Sequence, residues 1–276
     1  MRVSLRHTTR LEYDNDVVES VMDARLGPRS DEDQRWGRFE LRTSPSAAVR
    51  RYADAFGNIA HLISVAAPHR HLEVVTVGEI ETLLTDPFAL PRSTPTPLEP
   101  GELSDYLRPS ALVPSDPGLD ALAEAHLPSG PDAAFESASA LMHLVYAEFT
   151  YKPDVTNIST TVAELLATRT GVCQDLAHVL VGLCRAAGIP ARYASGYIVT
   201  GAHGPKRGAG HSHAWAEAWT STHGWRGFDP TNDLLASEHH VKMAIGRDYR
   251  DVPPTQGTFR GVAEEQLAVE VIARAA

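Results

Sequence analysis

Six prolines fall between Asp86 and Pro109: Pro87, Pro91, Pro95, Pro97, Pro100 and Pro109. Each removes a backbone donor and fixes φ, so no regular element is expected there and the stretch reads as a boundary. At 276 residues the chain exceeds the usual size of one domain, which fits two packed units. The expected division is a β-rich unit over 1–90, a Pro-rich linker over 91–114 and a second unit over 115–276.

Before the linker, Val3, Leu5, His7, Thr9, Leu11 and Tyr13 recur at period two, the pattern of a half-buried strand. Further strand signals span Arg38 to Thr43, Ile59 to Ala66 and Leu72 to Leu83, with a Gly57-Asn58 turn before the second. After it, Phe135, Ala138, Met142, Val145 and Phe149 repeat at helical spacing. Thr161 and Glu164 form a capping-box signature for a short helix, and a longer helix is expected from Val172 to Ala187, closed by Gly188 and Pro190. Strands follow at Ala191 to Val199, Ala214 to Trp219 and Trp225 to Phe228. Helices precede strands, so the class is α+β.

Acidic residues outnumber basic ones, 35 to 25, for a formal net charge of −10, and no basic run tracks a phosphate backbone; nucleic acid is not an expected partner. No run reaches the roughly 18 apolar residues of a spanning helix, and Met1 to Tyr13 lacks the apolar block of a signal peptide. No membrane partner is expected, and the expected location is cytoplasmic. The two cysteines, Cys173 and Cys184, share one predicted helix about 16 Å apart at 1.5 Å per residue, too far to bridge. Free thiols in a reducing compartment follow.

Cys173 follows Thr170-Gly171-Val172 and opens that helix. A sulfur there meets unpaired backbone N–H groups and the positive end of the helix dipole, which favour an anion, and its own N–H is placed to contact a tetrahedral oxyanion. Cys184, deep among Leu180, Val181 and Leu183, reads as packing. In Gly210-His211-Ser212-His213-Ala214-Trp215-Ala216-Glu217-Ala218-Trp219, period two puts His211, His213, Trp215, Glu217 and Trp219 on one strand face, so a histidine is held on a rigid element. In Gly224-Trp225-Arg226-Gly227-Phe228-Asp229-Pro230-Thr231, a strand ends at an acid. Asp229 alone is a turn residue; beside a His and an activated Cys it is an orienting acid.

These three segments together resemble the transglutaminase-like superfamily, specifically its bacterial cysteine protease or amidohydrolase branch with an N-terminal β-rich domain. The resemblance runs through Gly171 to His178, Arg185 to Tyr193, Ser195-Gly196-Tyr197, His213-Ala214-Trp215 with Glu217, and Gly224-Trp225 to Thr231. It extends to Phe149-Thr150-Tyr151, Asp54 to Asn58 and Tyr106 to Ser110. It implies a papain/transglutaminase-like α+β core, in which the helix carrying the nucleophile packs on an antiparallel sheet, filling 115–276 as the catalytic domain. It implies attack on an amide by Cys173 through a thioester, with His213 as base, Asp229 as orienter and no cofactor. The substrate is expected to be a peptide, a protein or a small amide. For the oxyanion hole or substrate contacts the candidates are Tyr151, Gln174, His211 and Trp215.

Hydrolysis or deamidation is the expected outcome, with amine transfer or amide ligation as alternatives and a non-catalytic peptide-binding scaffold as a third. A metal hydrolase built on His211, His213, Asp229 and His239-His240 is the remaining rival; no CxxC or HExxH spacing supports it. Asp175 reads as a dipole-stabilising acid and His178 as a structural hydrogen-bonding residue. Trp215, Trp219 and Trp225 are candidates for a groove wall, though large aromatics in strands are more often core. Gly201, Gly204, Lys206, Arg207, Gly208 and Gly210 suggest a flexible loop before His211.

Overall fold

The computed structural model describes every residue except 28, 131–132, 200–206 and 208–209. The expected glycine-rich loop thus lies outside the described residues apart from Arg207 and Gly210. The N-terminal unit contributes β1 (Arg2–Val17), β2 (Glu19–Ala24), β3 (Gln34–Ser44), β4 (Ala48–Ala53), β5 (Ile59–Val65) and β6 (His69–Thr82). There follow α1 (Pro100–Leu107), α2 (Pro117–Ala123), α3 (Ala134–Glu148), β7 (Thr150–Tyr151), α4 (Val162–Thr168), β8 (Thr170–Gly171) and α5 (Cys173–Ala186). The chain continues through β9 (Ala191–Ile198), β10 (His213–Thr220), β11 (Gly224–Asp229), β12 (Leu234–Leu235), β13 (His240–Gly246), β14 (Thr255–Arg260) and β15 (Glu265–Ala275).

The period-two strand signal of the first residues is realised in β1, where Val3, Leu5, Leu11 and Tyr13 are buried between exposed neighbours. Two antiparallel sheets, ordered β15-β1-β6-β3 and β14-β2-β5-β4, share a core of Leu11, Tyr13, Met22, Ile63, Leu72 and Val74. The last two strands were expected in the catalytic unit. They return instead to the N-terminal sheets: Val3 pairs with Ala275 and Tyr13 with Glu265, while β14 pairs with β2. The second unit therefore ends spatially before β14. Long-range pairing with β1 and β2, which local sequence does not encode, decides where these strands go.

The linker differs from expectation as well. Pro100 begins α1 at a position where a missing N–H costs nothing, and Glu102 reaches back to the Glu99 N–H. Tyr106 of this helix is buried, its ring edge-on to Trp225.

In the second unit, α5 packs against β9 and β10 of a sheet ordered β12-β11-β10-β9-β13, with α2, α3 and α4 on its other sides. This enclosure buries the helix from Asp175 to Arg185. The core includes Leu141, Met142 and Val145 from α3, Leu176, Leu180 and Leu183 from α5, and Ala216, Ala218 and Phe228 from the sheet.

The two units meet at β13, an edge strand whose backbone needs partners. Two side-chain amides of the N-terminal unit supply them. Gln34 donates from Nε2 to the Lys242 carbonyl at 2.6 Å and accepts the Lys242 N–H at 2.9 Å. Asn58 donates from Nδ2 to the Ile245 carbonyl at 2.7 Å and accepts the Ile245 N–H at 2.9 Å. The Lys242 ammonium is buried between Asp31 Oδ2 (2.8 Å) and Glu217 Oε1 (2.7 Å), and Arg192 completes Glu217 at 2.7 Å. Although burial opposes its charge, Lys242 and Arg192 hold the Glu217 carboxyl down at about 2. An apolar seam of Val3, Leu5, Ile80, Tyr197, Val241 and Met243 seals the contact.

Replacing Asn58 with Ala strips partners from the buried Ile245 N–H and carbonyl, and unmet buried polar groups cost about 1–3 kcal/mol each. Denaturant titration is expected to show Asn58→Ala and Gln34→Ala destabilised by about 2–4 kcal/mol. Val269→Asp, on the exposed part of β15, should stay within about 0.5 kcal/mol of the parent. Equal small losses for all three would mean that the amides do not carry the edge of β13.

Candidate active site

Gly171 and Val172 set up the mouth of α5. The Asp175 carboxylate turns back to accept the Val172 N–H at 2.8 Å and also takes the Thr156 hydroxyl at 2.6 Å. A Cβ at Gly171 would lie 2.6 Å from the Asp175 Cβ, so glycine is needed for this closure. Burial raises the Asp175 carboxyl, against those two donors. The closed turn leaves Cys173 as the first helical residue, half-buried, with its N–H meeting no acceptor among the described residues. Cys184 is fully buried, which pushes its thiol up to about 12.

His213 begins β10, opposite Gly196 of β9. Its Nε2 bonds Asp229 Oδ2 at 2.9 Å, and both side chains are buried. The other nitrogen, Nδ1, meets no partner with hydrogen-bond geometry. The Cys173 thiol is nevertheless near enough to favour the charged ring through hydrogen bonding and charge. A contact that is present but not yet aligned is usual before substrate arrives. Burial disfavours the imidazolium, but Asp229 first, then Cys173, outweigh it, and His213 is raised to about 10.

Asp229 ends β11 and is saturated with donors. Oδ2 accepts from His213, from Asn232 Nδ2 at 2.9 Å and from His240 Nε2 at 3.3 Å. Oδ1 accepts the N–H groups of Thr231 (3.0 Å) and Asn232 (3.3 Å). Burial alone would raise this carboxyl; the two imidazoles overcome that and hold it far below the ordinary range. His240 is oriented by the Ser237 N–H donated to its Nδ1 at 3.3 Å, which leaves Nε2–H for Asp229. From sequence, His240 joins Asp229 only as a possible metal ligand, and Asn232 is given no part. Asn232 stands three residues after Asp229, an Asx-type spacing that is a legible signal. His240 lies on another strand and gives none.

The remaining candidates separate. Tyr151 pairs with Gly171 across β7 and β8, beside the nucleophile position. Its phenol is raised by burial first and by Cys173 second, which keeps it a neutral donor. Gln174 is half-buried in the first turn of α5. His211 is exposed and not part of the cluster. Trp215 is 1% exposed and lies behind His213, rings 6.2 Å apart and nearly parallel, so it supports the base instead of walling a groove. A Cβ at Gly196 would sit 2.7 Å from Trp215 and 2.0 Å from the Val241 carbonyl oxygen, so a glycine is required where β9, β13 and this indole converge. Trp219 and Trp225 face each other at the far end of the β10–β11 ladder, and Trp225 stacks under the Arg192 guanidinium at 3.8 Å. His178 accepts the Tyr249 N–H at 3.0 Å, a structural bond.

Among the described residues, His213, Asp229 and His240 also form a group whose ligand atoms lie within 4.8 Å of one another. His240, not His211, is thus the second histidine that a metal hydrolase would need. The Asp229 oxygens, however, already accept five hydrogen bonds, which leaves a cation little lone-pair access without displacing donors.

Comparison with known proteins places the chain in a family. The model of the transglutaminase-like superfamily core matches residues 122–230, and that of the bacterial transglutaminase-like N-terminal region matches residues 3–81. A protein of Mycobacterium leprae described as uncharacterised is 32% identical over 98% of each chain. The chain belongs to the transglutaminase-like superfamily. A "putative cysteine protease" of Cytophaga hutchinsonii shares the fold, with a TM-score of 0.77 at 22% identity over 99% of this chain and 90% of that one. A protein-glutamine gamma-glutamyltransferase of Pseudomonas aeruginosa is 32% identical over 41% of this chain but only 18% of its own length. The transglutaminase-like core is thus an α+β unit in which the helix opened by Cys173 packs on an antiparallel sheet, and the β-rich N-terminal region accompanies it.

A histidine raised from 6.5 to about 10 on folding adds stability that is complete below pH about 6.5 and is lost as pH climbs towards about 10. Thermal unfolding of the parent should therefore show a melting temperature that declines across this window, and His213→Ala should flatten the decline. Identical slopes would mean that the folded chain does not hold the imidazolium.

Proposed function

We propose that this protein is a cysteine-dependent acyl-transfer enzyme that cleaves amide bonds, in peptides or side-chain carboxamides, through a thioester on Cys173. One observation carries the reading. A half-buried thiol at a helix mouth acts on a buried imidazole that has one nitrogen held by a buried carboxylate and the other unbonded.

In this mechanism the proton of the Cys173–His213 pair rests on His213 Nδ1, and the thiolate sulfur attacks the amide carbon. Negative charge on the carbonyl oxygen is met by the Cys173 N–H, with Tyr151 better placed than Gln174 as the side-chain donor. The C–N bond breaks as His213 gives its proton to the departing amine or ammonia. Water then attacks the thioester, loses a proton to His213 and releases the acid, restoring the thiolate–imidazolium pair. Asp229 steadies the ring in both charge states, and Asn232 and His240 act through Asp229 as positioning residues. Two free thiols suit a reducing, cytoplasmic setting.

An amine in place of water gives transfer. The Pseudomonas relative, named for that reaction, supports it as the second reading. The two separate on one substrate panel: ammonia without incorporated amine denotes hydrolysis, and a new secondary amide denotes transfer.

Cys173→Ala and His213→Ala are expected to abolish ammonia or amine release from a panel of capped glutamine and asparagine peptides. Asp229→Asn should lower kcat by about 10²–10⁴-fold. Exhaustive dialysis against a chelator should leave the rate unchanged. Activity that survives Cys173→Ala, or that vanishes with the chelator and returns with zinc, would replace the thiol mechanism with a metal one.

A further inference from the structure

Arg207 is the one described residue of the β9–β10 connection that bonds to the site. Its backbone is fixed from both sides by a single amide: its N–H donates to Asn232 Oδ1 at 3.0 Å, and Asn232 Nδ2 donates to its carbonyl at 3.2 Å. The same Nδ2 bonds Asp229 Oδ2 at 2.9 Å. Arg207 is therefore tied, through one side chain, to the carboxylate that holds His213.

The guanidinium carbon lies 5.7 Å from the Tyr151 ring centre and 5.8 Å from that of Tyr146. Those distances are near the outer limit of a cation–π contact, so the rings orient the group without occupying its donors. Tyr151 is paired with Gly171, two residues before Cys173, and its phenol is acted on by Cys173 and Arg207 in opposite directions. Tyr151 thus neighbours a cation on one side and, through its pairing with Gly171, the start of the helix that carries Cys173.

The acids of the neighbouring elements are already engaged. Asp233 pairs with His143, and Glu148 pairs with Arg169 at 2.8 Å. Among the described residues Arg207 makes no ion pair, and the chain as a whole carries −10, so no general positive field surrounds the site. A guanidinium presents a fixed fork of donors that a carboxylate fills in two-point fashion.

We propose that Arg207 is a specificity-determining residue and that the acyl donor of this site carries a carboxylate close to the amide under attack, laid across Tyr151 between the Cys173 sulfur and the guanidinium. This rests on the reading of Cys173 as nucleophile. An ordinary surface arginine, by contrast, would influence the thiol no more than any distant charge.

The test uses the full chain and two alkylating agents that differ only in charge, iodoacetate and iodoacetamide. Dividing the rate at Cys173 for the first by the rate for the second removes differences in thiol reactivity among variants. At low ionic strength this quotient should fall about threefold in Arg207→Ala and about tenfold in Arg207→Glu, and Arg207→Lys should retain most of it; added salt should flatten the differences. A quotient unchanged in Arg207→Glu overturns the proposal.

Capped glutamine peptides that differ in a neighbouring Glu or Gln form the second arm. The parent should turn over the Glu member several-fold faster, and Arg207→Ala should remove the preference. Equal turnover of the pair by the parent also overturns it. If neither peptide reacts, the alkylation quotient decides. Failure of the nucleophile assignment reads differently, as iodoacetamide labelling of Cys173 no faster than that of buried Cys184 in the parent.

Discussion

The edge of β13 is the constraint on which the rest of the molecule depends. An edge strand inside a domain boundary must have its outward N–H and carbonyl groups met. Here that is done not by a further strand but by Gln34 and Asn58, each of which offers one donor and one acceptor as a strand residue would. This explains why the β-rich region and the core accompany each other. With β13 fixed, His240 stands 3.3 Å from Asp229, and Asp229 in turn holds His213. The N-terminal unit touches no member of the Cys173, His213 and Asp229 set through these bonds, yet it supports the strand that completes it.

Two buried carboxylates show how composition of the surroundings separates structure from chemistry. Glu217 faces Lys242 and Arg192, permanent cations that keep it charged and immobile. It ties β10 to β9 and to β13. Asp229 faces two imidazoles, a carboxamide and two backbone amides. Its partners can change charge, so it can stabilise a ring that gains and loses a proton while its own state stays constant. Both acids lie in the same sheet, and only the second holds an imidazole on which Cys173 acts.

Much of this was legible in the sequence where the signals are local. The Thr161 and Glu164 capping box, the glycine before Cys173, the span of α5 and the strands around His213 and Asp229 each depend on residues within a few positions of one another. The bonds that join the units do not. Asn58 and Ile245 are 187 residues apart, and Gln34 and Lys242 are 208 apart. The destinations of β14 and β15 depend on equally remote partners, and α1 shows a proline read as a breaker acting as a helix start. For Trp215 the sequence leaves groove wall and core both open, for a related reason. Alternation puts it on the face of His213, but whether that face meets solvent is decided by Gly196 and β13, which bring other elements close.

The donor set around Asp229 also bears on the choice between an enzyme and an inert scaffold. Taking a carboxylate and an imidazole out of water costs several kcal/mol per ion, and apolar residues of similar volume are often as stable or more so. A peptide-binding groove has no need of such a pair beneath its surface. Here five hydrogen bonds converge on one carboxylate, and the imidazole it holds leaves its remaining nitrogen unbonded on the side of Cys173. Unpartnered buried nitrogens also occur at His178 Nδ1 and Trp215 Nε1, so what distinguishes His213 is the combination of a donor-saturated carboxylate on one side and the influence of Cys173 on the ring.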